Sequence, residues 1–236
     1  EAIEAYKKAL EIKPDFAEVS HFLSALTGKT TSSPPKKYVE DLFDRYAKNF
    51  ENSLVKKLEY KIPKIISNLV VSKHDKGSMG AVLDLGCGTG LLGAELRKDC
   101  TRLTGIDLSK KMLAQARKRK IYDSLSHAEI VQYLSDKELD FDYFVSTDVF
   151  IYVGDLSEVF RLIKSRNKRS GKLVFSTEHT EVDGFQLEQT GRYSHSESYI
   201  KSLCSRFDYS MVHFSKAQLR KEKEQFLVGG LYILSF

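Results

Sequence analysis

Val82-Leu83-Asp84-Leu85-Gly86-Cys87-Gly88-Thr89-Gly90 is the stretch that decides the fold. A short apolar run enters three glycines at alternate positions, and Leu91-Leu92 then open an amphipathic segment. The pattern reads as strand, glycine loop, helix, which is the context a nucleotide-binding loop requires. Glycine lets the backbone turn sharply and approach a ligand with no Cβ in the way. The N-terminus of the next helix presents unpaired N–H groups to an anion. The spacing is Gly-x-Gly-x-Gly, and Leu91 stands where Gly-x-Gly-x-x-Gly would place its third glycine. A dinucleotide fingerprint is therefore disfavoured.

Working outward, Asp84 lies two positions before the loop. A carboxylate there repels a pyrophosphate and attracts a ligand that carries an ammonium and a sulfonium. About 20 residues beyond Gly86, Asp107 ends Leu103-Thr104-Gly105-Ile106-Asp107, the position of a strand-end carboxylate that accepts ribose hydroxyls. Ser109 is placed to cap the helix after it. Strands are expected at Ala81–Leu85, Leu103–Ile106, Glu129–Val131, Phe141–Ser146 and Lys172–Ser176, with helices near 91–98, 109–118 and 155–166. Asp155 and Glu158 have the spacing of a capping box for the last helix, ahead of Val159, Phe160 and Ile163 at helical period. Asp208–Phe214 and Phe226–Ser235 read as strands joined by a charged connector, hence an antiparallel pair. The alternation predicts an α/β, Rossmann-like sheet of seven mostly parallel strands with a terminal antiparallel pair.

Upstream, the pattern is helical. Ile3, Tyr6 and Leu10 share one helical face ahead of Pro14, and Phe16, Val19, Phe22 and Leu23 suggest a second helix. Residues 1–29 resemble part of a tetratricopeptide repeat, less than the roughly three units that hold a repeat core. Thr30-Thr31-Ser32-Ser33-Pro34-Pro35 marks a linker over 30–37. Residues 38–75 form an expected helical lid, with Leu42, Phe43, Tyr46, Ala47, Phe50 and Leu54 as its apolar stripe and Ser72–Met79 as a polar loop. The α/β domain occupies 76–236. The chain opens Glu1-Ala2-Ile3 without a methionine and reads as a piece of something longer.

The 236 residues carry a net charge of +5, mildly basic, without the concentrated excess of a dedicated nucleic-acid binder. The densest basic runs, Arg117–Lys120 and Lys164–Lys172, read as solvated helix ends or as docking patches for RNA or an acidic partner. Cys87, Cys100 and Cys204 have no paired or metal-ligand spacing, so a reducing, cytoplasmic location is expected and no metal site. No apolar run approaches the length of a membrane span.

Val82–Gly90, Gly105-Ile106-Asp107-Leu108-Ser109 and Met112-Leu113 together resemble the first two motifs of class I S-adenosylmethionine-dependent methyltransferases. Tyr38-Val39-x2-Leu42-Phe43-Asp44-x-Tyr46-Ala47, Tyr152-Val153-Gly154-Asp155 and Gly191-Arg192-Tyr193-Ser194-His195-Ser196 extend the likeness to those fused to tetratricopeptide repeats. The resemblance implies S-adenosylmethionine as donor and S-adenosylhomocysteine as product. It implies that Asp84 and the backbone of Gly86, Gly88 and Gly90 hold the methionine end, with Cys87 a small loop residue among them, and that Asp107 holds the ribose. By the same likeness Glu129 accepts a hydrogen bond from the adenine amino group, and Leu108, Met112 and Ile130 are further donor-binding residues. Thr147 and Asp148 face donor and acceptor, and Tyr46 with Phe50 closes over the donor.

Methyl transfer from a sulfonium needs alignment and exclusion of water, and a base only where the acceptor must lose a proton. His195 and Asp148 are the expected catalytic groups, with Glu178 and His179 as further bases. Arg192, Tyr193, Glu178 and Arg220 are expected at the acceptor. The acceptor itself is expected to be a small molecule, carboxylate-bearing or carrier-linked. The alternatives are an RNA or protein methyltransferase docking through the basic runs and repeat helices, and a non-catalytic interaction protein built on those helices. A dehydrogenase is disfavoured by Leu91 and Asp84.

Overall fold

The computed structural model describes residues 1–52, 57–72, 78–222 and 225–236. Leu54 of the expected lid stripe and most of the expected polar loop after Ser72 lie outside the described residues.

Helices α1 (Ala2–Ile12), α2 (Ala17–Leu26), α3 (Lys36–Tyr46) and α4 (Ile62–Ser72) precede the sheet. The α/β part then runs β1 (Ala81–Leu85), α5 (Leu91–Leu96), β2 (Arg102–Asp107), α6 (Lys110–Arg119), β3 (Ser124–His127), α7 (Ile130–Asp136), β4 (Tyr143–Ser146), α8 (Ser157–Arg166) and β5 (Lys172–His179). It closes with β6 (Phe185–Leu187), β7 (Tyr193–His195), α9 (Glu197–Phe207), β8 (Ser210–Glu222) and β9 (Gln225–Ser235). Among the described residues the first five strands lie parallel in the order β3-β2-β1-β4-β5. β9 joins β5 antiparallel, and β8 pairs antiparallel with β9.

The alternation of a strand separates two cores. Leu83, Leu85, Phe144, Leu173 and Phe175 face one side with α7, α8 and α9, where Leu134, Phe160 and Leu203 are buried. Val82, Leu103, Val145, Val174 and Ile233 face the other with α4 and α5, where Ile66, Leu92 and Leu96 are buried. Each such aliphatic side chain contributes roughly 1.5–3 kcal/mol on burial, so the sheet is fixed from both faces. β1 is buried along its whole length, which makes it a rigid base for the glycine loop.

Several expectations change. The third strand is β3 at Ser124–His127 rather than Glu129–Val131. Glu129 instead caps α7, its carboxylate accepting from the Val131 and Gln132 N–H groups. The true strand was hidden because it is a polar edge. The described part of the charged connector expected between the last two strands is itself strand, β8 running to Glu222 and β9 starting at Gln225. β6 and β7 exceed the expected seven; β7 pairs parallel with the far end of β5 at Glu178 and His179, and left-handed Gly184 precedes this ribbon while left-handed Gly191 lies in its turn. The capping box of α8 is replaced by an Asp155 side chain accepting from Ser157 N–H, while Glu158 pairs with Arg161.

The expected linker is fastened at the start of its serine run. Asp155 N–H donates to the Ser32 carbonyl, and Thr31 Oγ1 lies 2.6 Å from the Tyr193 hydroxyl. Just upstream, α2 sits on the same ribbon through His21 Nε2 and the Gly191 carbonyl at 3.0 Å.

Candidate functional site

Strand order reverses between β1 and β4, and in an open α/β sheet the crevice outside the carboxyl ends at that reversal is where ligands bind. A cavity of about 400 Å³ lies there, within the usual range for small-molecule and cofactor sites. The glycine loop, the ends of β2 and β4, the start of α7, the linker serines and α3 all contribute walls.

β1 delivers Asp84 to the cavity with 2% exposure. Burial pushes its carboxyl up to about 7, against the hydrogen bond from Tyr122, with Asp107 adding to the rise. The Tyr122 hydroxyl donates to Asp84 Oδ2 at 2.7 Å. Asp107, at the end of β2, takes the Gly88 N–H on Oδ2 at 2.8 Å and the Ser109 N–H on Oδ1 at 2.7 Å. Burial raises this carboxyl to about 6. Each oxygen keeps a lone pair for a ligand hydroxyl. The loop is thus shaped by the strand-end acid as well as by its glycines. Gly86 is left-handed, and a Cβ on it would meet Val149 Cγ2 at 2.5 Å; Gly88 is left-handed with nothing within 4 Å, so its backbone opens onto the cavity.

Of the expected donor residues, Asp84, Gly86, Cys87, Gly88, Asp107, Leu108, Met112, Glu129, Ile130 and Thr147 line this one cavity. Gly90 does not; it is the left-handed N-cap of α5, held behind the loop against Arg119 and Tyr122. Tyr46 does not either, since it lies at the end of α3 with 52% exposure. Phe43 and Phe50 supply the aromatic wall, at a 6.3 Å centroid separation, and Phe43 meets Tyr152 edge-on at 5.1 Å. α3 is tied down by Asp44, whose Oδ1 accepts from the Ser109 hydroxyl at 2.5 Å.

Asp148 follows β4, lines the cavity and adopts a left-handed φ of 55°. Its Oδ2 is bound by Arg220, whose other nitrogen donates to Glu178 Oε1 at 2.6 Å. Arg192 Nε donates to the same Glu178 oxygen at 2.7 Å, and its Nη2 to Glu222 Oε2 at 2.5 Å. Arg192, Glu178 and Arg220 therefore form a buried lattice behind Asp148, off the cavity wall. Burial lowers the basicity of Arg220, and the carboxylates of Asp148 and Glu178 override it.

His195 is fully buried in β7 and is not on the cavity wall. Its Nε2 lies 2.8 Å from the Gly154 carbonyl, and because a carbonyl only accepts, Nε2 carries the proton. Burial lowers its pKa to about 4, so it is neutral and committed to holding the loop whose Val153 and Asp155 line the cavity. Tyr193 is likewise buried and spent on Thr31. His179 contacts Glu181 at the sheet edge.

Tyr122, Tyr60, Tyr152, Asp44 and the linker serines were not among the expected site residues. Tyr60 lines the cavity beside Thr147, and burial raises its hydroxyl pKa well above the ordinary value. No motif marks it: it stands alone between a helical stripe and Pro63. Among the described residues no cluster of metal-ligating side chains is present, and no helix is long and apolar enough to cross a membrane. The three cysteines are buried and unpaired.

Residues 76–227 match a family model described as a methyltransferase domain. A curated but uncharacterized protein of Haemophilus influenzae is 32% identical over 148 residues, covering 59% of this chain and 56% of its own length. A malonyl-[acyl-carrier protein] O-methyltransferase of Buchnera aphidicola is 29% identical over 142 residues, covering 60% and 55%. The chain thus spans about half the length of the curated relatives it matches. Among solved structures, magnesium protoporphyrin IX methyltransferase of Synechocystis with bound S-adenosylhomocysteine superposes with a TM-score of 0.65 at 15% identity, over 85% of this chain and 98% of that one. An N-methyltransferase of Bradyrhizobium japonicum, also with S-adenosylhomocysteine, gives 0.56 at 18% identity over 74% and 85%.

Proposed function

The chain belongs to the methyltransferase-domain family, of the class I S-adenosylmethionine-dependent fold, and from that premise we propose that the cavity binds S-adenosylmethionine and passes its methyl group to a small-molecule acceptor. The carrying observation is the pair Asp84 and Asp107: two buried carboxyls on one cavity, pushed up to about 7 and about 6, with no cationic side chain bonded to either among the described residues. A ligand with an ammonium at one end and a ribose diol at the other suits both. Gly88 leaves backbone room between them.

The donor supplies a methyl on a sulfonium: the acceptor's lone pair forms the new bond to carbon as the carbon–sulfur bond breaks and leaves its pair on sulfur. The residues do the rest. Asp84 and the loop backbone take the amino-acid end, Asp107 the ribose, and Leu108, Met112 and Ile130 with Glu129 the base. Val39, Phe43 and Phe50 exclude water, and Thr147 with Tyr60 borders the reacting end. The curated and structural relatives named above act, by their names, on a carrier-linked malonyl group and a magnesium porphyrin, which supports a small-molecule or carrier-linked acceptor here. An RNA acceptor is less favoured because the 164–172 basic run is neutralised locally: Lys164 pairs with Asp208, Lys168 with Glu138, and Arg169 with Asp140 and Asp142.

Asp107→Ala tests the reading. Loss of a charge-assisted hydrogen bond to a ribose hydroxyl removes about 1.5–3 kcal/mol, so S-adenosylhomocysteine should bind at least about tenfold more weakly by calorimetry. Unchanged affinity would refute the ribose assignment.

For residues 1–29 the reading is a tetratricopeptide-like fragment that docks a protein partner. Its support is the pairing of α1 with α2 through Tyr6 and Phe22, whose rings lie 6.5 Å apart. The reading places the chain in the cytoplasm, with three buried, unpaired cysteines as its support.

A further inference from the structure

We infer that the acceptor presents an amine to Asp148, and that this residue selects an amine over a carboxylate. The inference rests on the donor reading above. Asp148 is held in a left-handed conformation that L residues avoid, with its N–H bonded to the Ser176 hydroxyl at 3.0 Å; such backbone persists where the surroundings over-determine it, commonly at ligand sites. Its two oxygens differ. Oδ2 is taken by Arg220, while Oδ1 is buried without a hydrogen-bond partner among the described residues. A buried carboxylate oxygen left without a donor is unfavourable. Asp148 lines the cavity, and a small turn of its carboxylate that keeps Arg220 on Oδ2 would bring Oδ1 to the wall, where a ligand N–H supplies that donor.

The charge balance fixes the sign. Behind Asp148, the guanidiniums of Arg192 and Arg220 face the carboxylates of Asp148, Glu178 and Glu222, one negative charge in excess. Neither arginine reaches the wall, so the groups that could have gripped an acid are spent. Among the described residues, Asp84, Asp107, Glu129, Asp148 and Asp155 stand on the wall against Lys36, which pairs with Glu129 at 3.6 Å. A second carboxylate would add to that excess, whereas an amine offsets it. Tyr60, Tyr152, Phe43 and Val149 border the same end of the cavity, so the body of the amine is aromatic or alkyl.

The test uses the full chain saturated with S-adenosylhomocysteine, titrated in parallel with phenethylamine and with its near-isostere 3-phenylpropionate. The amine should bind, and the acid at least tenfold more weakly. Asp148→Asn should weaken the amine at least tenfold while S-adenosylhomocysteine affinity stays within twofold. Equal binding of the acid, binding of neither probe, or an Asp148→Asn variant with unchanged amine affinity overturns the inference. A drop in S-adenosylhomocysteine affinity in a variant that remains folded overturns it too, by moving Asp148 to the donor. Should Asp148→Asn fail to fold, the wild-type comparison of the two probes decides alone. Failure of the wild-type chain to bind S-adenosylhomocysteine would instead count against the donor reading.

Discussion

The Tyr122 hydroxyl donates a 2.7 Å hydrogen bond to Asp84 Oδ2, so the segment entering β3 holds the carboxylate that β1 delivers to the cavity. Tyr122 also packs its ring against Gly93 and Gly105, which fixes its position independently of the hydroxyl. Tyr122→Phe should therefore keep the fold and lose the bond. Burial already raises Asp84, and Tyr122 is the group opposing that rise, so the variant's carboxyl should titrate higher still. A neutral hydrogen bond contributes about 1 kcal/mol, so S-adenosylhomocysteine affinity at neutral pH should fall roughly fivefold by calorimetry. Equal affinities would show that Asp84 is not positioned through Tyr122.

The same two carboxyls set a pH dependence. Asp84 is raised to about 7 and Asp107 to about 6, both above the ordinary 3.8. In the free protein the folded state binds more protons than the unfolded chain across that window. The stability these groups contribute is full below about pH 4 and is lost as pH rises through 6 and 7. Donor binding needs both ionised and runs the opposite way. S-adenosylhomocysteine affinity should climb from pH 5.5 to 8 on the order of a hundredfold, with net proton release near pH 6.5 seen as a buffer-dependent heat. A flat profile would contradict the ionised-carboxylate account.

The N-terminal helices divide in function. Removing residues 1–29 should leave donor affinity intact, because the cavity wall begins at Ser32. It should lower the thermal midpoint, since His21 no longer meets Gly191 and Phe22 no longer covers Tyr38. A loss of 1–2 kcal/mol corresponds to roughly 2–8 °C for a domain of this size. Removing residues 1–46 should weaken donor binding as well, because Val39, Phe43 and the Asp44–Ser109 bond go with it. A shorter deletion that stays folded but cannot bind donor would place α1 and α2 in the site.

What the sequence made legible is the part whose chemistry is local. Asp84, Gly86 and Gly88 announce themselves by spacing within one turn, and Asp107 by its distance from them, so the donor half of the cavity could be read directly. The rest of the cavity wall, proposed for the acceptor, comes from residues far apart in the chain: Tyr60, Asp148, Tyr152 and the serines of a stretch that reads as a plain linker. No periodicity connects them. His195 and Arg192 misled for the same reason. Their residue types suit catalysis, but burial and partners, which sequence does not display, turn one to the Gly154 carbonyl and the other to Glu178 and Glu222. Glu129 was placed at the cavity but on a strand; its N-cap role is decided by which backbone N–H groups it reaches.

Asp84, the glycine loop and Asp107 should form a site for S-adenosylmethionine and not for a dinucleotide. Calorimetric titration of the chain with S-adenosylhomocysteine and, in parallel, with a nicotinamide dinucleotide tests it most directly. The predicted result is saturable one-to-one binding of S-adenosylhomocysteine with a dissociation constant on the order of micromolar, about −8 kcal/mol, and no measurable heat from the dinucleotide, whose pyrophosphate meets the Asp84 carboxyl. Tight dinucleotide binding with no response to S-adenosylhomocysteine would contradict it.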